Sequence, residues 1–144
     1  MSGIVVDLKR TGFPVKIGQV ELWFDTSQER LIEFFDIETE VNRRLNEYEK
    51  QVIEANLDNE IEGKGVTKDV AQSALDLEAK YLEINYDLLF GEGTFAQLYA
   101  EYPDKEALEN TLEIVCREIE VKLKELAIER EKIVKQKTKK YKKE

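Results

Sequence analysis

The chain has 144 residues, the size of one domain, and carries 31 Asp+Glu against 22 Lys+Arg, a formal net charge of −9. With 42% hydrophobic and 9% aromatic residues it holds enough apolar matter for a packed core, which argues against wholesale disorder. It has no histidine and one cysteine, Cys116, which removes imidazole triads, the His ligands of di-iron bundles, nearly all familiar zinc sites and any intramolecular disulfide.

The expectation is therefore a non-enzymatic protein of a reducing, cytoplasmic compartment, with no catalytic residues, cofactor or metal. No apolar run approaches the roughly 18 residues that span a bilayer, and Asp7, Lys9 and Arg10 fall where a signal peptide needs its apolar stretch. Neither membrane insertion nor export by that route is expected. Lys135 to Glu144 holds six Lys and one Glu, so a basic tail follows a body of charge −14.

In the first 25 residues, Val20, Leu22 and Phe24 alternate with Glu21, Trp23 and Asp25, the period of a strand. A second apolar stretch, Ile4 to Leu8, is expected to pair with it or with Val15 and Ile17, and Thr11-Gly12 and Pro14 break that first stretch. Gly18-Gln19 occupies the place of a tight turn. From Thr26 the period changes to that of a helix. Thr26 and Glu29 fit a capping box, and Asp25, Thr26 or Ser27 is each able to cap. Leu31, Phe34, Val41, Leu45, Tyr48 and Val52 then form one apolar seam of a helix of about 30 residues.

Asn56 to Gly65 reads as a loop, after which Thr67 caps a helix with a seam at Val70, Ala74, Leu77, Tyr81, Ile84 and Leu88. Gly91 and Gly93 end it, and Thr94 caps a short helix through Phe95, Leu98 and Tyr99. Pro103-Asp104 opens a last helix in which Leu112, Ile119, Leu126 and Ile133 recur every seven residues. Glu118/Lys122, Glu120/Lys124 and Glu131/Lys135 stand in the favourable i,i+4 order on its outer face. The predicted fold class is mainly α: a helical bundle of three long helices and one short helix with a small N-terminal β-hairpin. The expected divisions are 1–25, 26–134 and 135–144.

Three motifs have simpler explanations than the chemistry they suggest. Glu62-Gly-Lys-Gly-Val-Thr-Lys68 lacks the spacing of a phosphate loop, and its two glycines serve to punctuate helices. Glu33, Glu40, Glu47 and Glu54 recur every seven residues, but a stripe facing water does not converge on a cation. The basic tail suits phosphates, yet the acidic body repels the same polyanion, so no nucleic-acid partner is expected. The aromatics carry more weight. Tyr81, Tyr86, Phe90, Phe95, Tyr99 and Tyr102 crowd around the helix break, where, with Leu98, they form a local core or a partner-binding face, and Tyr99 and Tyr102 suit either role. Val20, Leu22 and Phe24 are the candidates for self-association through an open strand edge.

The opening Leu8–Ser27 segment (LKRTGFPVKIGQVELWFDTS), a charged amphipathic helix, then Leu89–Asp104 (LFGEGTFAQLYAEYPD) and a closing helix resemble the small tail assembly chaperones of long-tailed bacteriophages and prophages. The resemblance covers most of the chain loosely. It implies a protein that coats the long, aggregation-prone tape measure protein during tail tube polymerisation in the host cytoplasm and is absent from the finished virion. It implies as further partners the tail tube protein, a longer −1 frameshifted form of the same chain, and other copies in a homo-oligomer. The alternative reading is a structural or scaffolding subunit of the particle, a head-tail or tail component.

Overall fold

The computed structural model describes residues 3–61 and 68–142. It is mainly α with an N-terminal β-hairpin, as the periodicities predict: β1 (Gly12–Ile17), β2 (Val20–Asp25), α1 (Gln28–Phe35), α2 (Ile37–Ile61), α3 (Lys68–Phe90), α4 (Thr94–Glu101) and α5 (Lys105–Lys142). The chain divides into two compact units, 1–105 and 106–144. Thr67 and the Glu62–Thr67 part of the glycine motif lie outside the described residues.

The hairpin resolves the choice of strand partner. β1 pairs antiparallel with β2 from Gly12↔Asp25 to Ile17↔Val20, so the segment of Val15 and Ile17 forms the hairpin with Val20 to Phe24, and Ile4 to Leu8 pairs with neither strand. Gly18 at φ 58, the first of two loop residues, matches the type II′ pattern that suits the right-handed twist of paired strands. Pro14 sits inside β1 rather than breaking it. Thr26 N–H donates to Thr11 O at 3.3 Å, which makes Thr11/Thr26 a bonded pair. Bonded and non-bonded pairs alternate, so Pro14/Trp23 is non-bonded and the missing N–H of Pro14 falls on the outer edge, where it costs no ladder bond.

The first predicted helix is two. Asp36, at φ −102 and ψ 9, interrupts it, its N–H bonding back to Glu33 O at 3.2 Å before Glu40 N–H resumes from Asp36 O. Asp is a poor interior helix residue, and the break separates α1, which packs on the hairpin, from α2, which packs on α3. The capping box does not form: Ser27 is the N-cap without a side-chain bond, while Asp25 Oδ1 accepts Ser27 N–H at 2.8 Å. That bond holds the Asp25 carboxyl below its usual range. α2 then runs to Ile61, past the predicted loop start at Asn56, because no Gly or Pro precedes Gly63.

Phe24 is the hub of the first unit, with ring centroids 5.3 Å from Phe13, 5.4 Å from Phe34 and 6.4 Å from Phe90. It joins hairpin, α1 and α3, and burying such a side chain contributes about 1.5–3 kcal/mol. The α1–α2 seam is legible in the structure: Val41 is buried, and Leu31, Phe34, Leu45, Tyr48 and Val52 are half-buried. On α3 the seam is only half right. Ile84 is buried, but Ala74 and Tyr81 are exposed, and Leu82, Tyr86 and Leu89 form a second buried stripe. α4 folds back beside α3, placing Tyr86 in a stack with Phe95, and this second neighbour covers a stripe that a one-sided amphipathic pattern does not anticipate.

In the second unit, α5 has buried positions at Leu108, Leu112, Val115 and Ile119. The basic segment continues this helix to Lys142. Among the described residues, ion pairs within 4.0 Å lie on α1, α2 and α3, so the three expected Glu/Lys pairs of α5 stay open. Exposed lysines lose side-chain entropy on pairing and gain little Coulomb energy in water.

Candidate partner-binding surfaces

α4 is positioned by a contact that is not local in sequence. Its N-cap is Gly93, at φ 88, with no side chain to offer, and Thr94 is the first helical residue rather than the cap. Asp87 of α3 supplies the missing acceptor: its Oδ1 takes Phe95 N–H at 3.0 Å, while Thr94 Oγ1 donates to Gly91 O at 2.7 Å. The carboxylate thus caps α4 across the glycine turn.

At the other end of α4, Tyr102 reaches the hairpin. Gln19 N–H donates to its hydroxyl at 2.8 Å. A Cβ built on Gly18 would stand 2.3 Å from the same oxygen. The aromatic segment is therefore largely spoken for. Tyr86 and Leu98 are fully buried and Phe95 is buried, so none of these three presents a face to a partner in this structure, while the half-buried Tyr102 holds the turn. Tyr81 and Tyr99, at 39% and 38% exposure, remain at the surface; Tyr99 stacks on Phe95 at 5.7 Å with Lys105 Nζ 5.9 Å above its ring. Val20 and Phe24 are likewise buried inside their own chain and Leu22 is half-buried.

A cleft of about 1140 Å³ opens in the first unit between β2, α1, α2 and the end of α3. Phe24, Phe34, Ile84 and Leu88 supply apolar lining. Its cations are engaged by neighbouring carboxylates: Arg30 with Glu33 at 3.0 Å, Arg43 with Glu40 at 2.8 Å and Glu47 at 2.9 Å, Arg44 with Glu40 at 2.9 Å, and Lys80 with Glu83 at 3.4 Å. The two guanidinium groups bonded to Glu40 lower its carboxyl from 4.5 to about 2. Three members of the glutamate stripe, Glu33, Glu40 and Glu47, thus serve as arginine partners, and the α1–α2 break takes Glu33 out of line with the rest. Among the described residues no group of three or more His, Cys, Asp or Glu is arranged to hold a metal ion. Cys116 is half-buried on α5, where desolvation and Glu120 push its thiol up and keep it protonated.

The surfaces that sequence periodicity left unmarked are apolar and exposed. On α5, Ile114, Val121 and Ile128 are 56%, 48% and 54% exposed at seven-residue spacing, and Ile133, predicted to continue the Leu112/Ile119/Leu126 seam, is itself 50% exposed. On α1, Ile32 and Phe35 are exposed. Ile114, Val121 and Ile128 were legible as a heptad row, but the stronger Leu112/Ile119/Leu126 row masked them. No helix among the described residues is long and apolar enough to cross a membrane. No known family model, curated protein or solved structure matches the chain.

Proposed function

We propose that this chain is a non-enzymatic assembly chaperone that covers an apolar-striped helical partner, as a phage tail assembly chaperone covers the tape measure protein during tail tube assembly. The observation that carries the reading is the exposed row Ile114, Val121 and Ile128. Residues seven apart lie along one side of a helix, and a row of branched apolar side chains packs between those of a second helix. From Ile114 to Ile128 the row extends roughly 20 Å at the helical rise of about 1.5 Å per residue. The acidic body, solvated and self-repelling, keeps such a surface from clumping. A homo-oligomer, the tail tube protein and a frameshifted longer form are the further partners in this reading, and the bacterial cytoplasm is its place of action.

The test is co-expression with a phage tape measure protein, followed by light scattering on the soluble fraction. A soluble stoichiometric complex, lost in an Ile114→Lys/Val121→Lys/Ile128→Lys variant of unchanged helicity, supports the reading. A partner whose solubility is indifferent to the chain refutes it. The second reading, a structural subunit of the particle, draws on the unpaired strand edge of β2, and presence of the chain in purified particles is its signature.

A further inference from the structure

Residues 3–10 precede β1 in no helix or strand, and four apolar side chains there stand almost wholly in water: Ile4 at 94%, Val5 at 91%, Val6 at 80% and Leu8 at 93% exposure. Such a run is a strand without a sheet. The hairpin beside it is a sheet of two strands, and the register fixes what each outer edge offers. On β1 the outward positions are Gly12, Pro14 and Lys16, an edge blunted in its middle by a residue that has no N–H to give. On β2 they are Glu21, Trp23 and Asp25, and among the described residues no backbone bond outside the ladder engages any of them.

The β2 edge also has room beside it. Successive strand side chains point to opposite faces, yet Trp23, Phe24 and Asp25 all line the cleft, so the cleft runs along the strand's edge. Its lining carries eight carboxylates against four cations, and Glu21 extends that charge along the strand. The exposed segment ends in Lys9 and Arg10. Within one chain Arg10, at the root of the segment, is held 4.5 Å from the ring centroid of its own Trp23, whereas a second copy is free to meet the β2 edge from its open side.

We propose that Ile4–Leu8 of a second copy of this chain adds to the free edge of β2 as a third strand, and that the exchange is reciprocal, closing a twofold dimer. The added strand pairs the outward N–H and C=O groups of Glu21, Trp23 and Asp25, and alternation places Ile4, Val6 and Leu8 on one face. Lys9 comes to lie beside the acidic cleft while Arg10 stays over the Trp23 ring of its own chain, and each interface uses the same two elements from both copies. This inference is independent of any helical partner.

The experiment is light scattering coupled to size separation of the full chain over a range of concentrations, with amide hydrogen exchange at both ends of the range. The expected result is a dimer in which the amides of residues 4–8 and of Glu21, Trp23 and Asp25 are protected, the protection vanishing on dilution to monomer. Val6→Lys in the segment, and Glu21→Pro at an edge N–H that no bond within the monomer uses, each weaken the dimer by roughly tenfold or more while circular dichroism stays unchanged. A chain monomeric at all concentrations overturns the proposal, as does protection of residues 4–8 in the monomer. A dimer indifferent to both substitutions overturns it equally.

Discussion

Gly18 and Tyr102 form a pair whose coupling is measurable. Gly18→Ala places a Cβ 2.3 Å from the Tyr102 hydroxyl at a residue with φ 58. The left-handed backbone alone costs an alanine about 1–2 kcal/mol. The clash forces the tyrosine ring away, and loss of the Gln19 N–H bond, 2.8 Å long, adds about 0.5–1.5 kcal/mol, so the single variant loses about 1.5–3.5 kcal/mol. Tyr102→Ala removes the hydroxyl in advance. In that background Gly18→Ala retains only its backbone cost, and the two substitutions fall short of additivity by about 0.5–1.5 kcal/mol. Urea unfolding followed by the single tryptophan, Trp23, which lies in the hairpin itself, reads all four corners of the cycle. Additivity within about 0.3 kcal/mol would refute the claim that this tyrosine is what confines the turn.

Asp87→Ala leaves Phe95 N–H without its acceptor and destabilises the first unit by about 0.5–2 kcal/mol, checked by denaturant midpoint, with increased amide exchange in α4 as its local sign. Gly12→Ala meets Phe24 O at 2.3 Å and the Trp23 indole at 2.7 Å from a backbone at φ 143; about 1–3 kcal/mol is lost and the tryptophan emission shifts. The Glu40 carboxyl titrates near 2 by carboxyl-carbon NMR. Because its folded value lies below the ordinary 4.5, its ion-pair contribution is present above that range and is lost as pH falls toward 2; Arg43→Gln moves the midpoint up. Cys116 reacts slowly with a thiol reagent at pH 8 and faster in denaturant, since burial holds its thiol protonated.

Much of the architecture was legible because the helices announce themselves by burial period. The seam through Leu31, Val41, Leu45 and Tyr48 needed only spacing, and so did the hairpin strand Val20, Leu22, Phe24. The failures share a cause. Asp36 breaks a helix that has a continuous apolar pattern, because packing on two different neighbours demands two directions. Leu82 and Tyr86 are buried because α3 has neighbours on more than one side, which no single stripe reveals. The aromatic cluster was visible as a cluster, but burial decides which members reach solvent, and Tyr86, Phe95 and Leu98 turned inward while Tyr102 turned to the hairpin. The Asp87 cap and the Tyr102 bond join residues 8 and 83 positions apart, and spacing has no vocabulary for such pairs.

The distance along the chain between Gln19 and Tyr102 also orders events during synthesis. The hairpin leaves the ribosome long before the residue that steadies its turn exists, and Phe90, one of the rings around Phe24, is also made late. Closing so long a loop is slow compared with forming the helices between its ends. A nascent chain therefore carries an unsupported hairpin and an apolar leader together, at translation speeds of about 5–20 residues per second, for seconds rather than milliseconds.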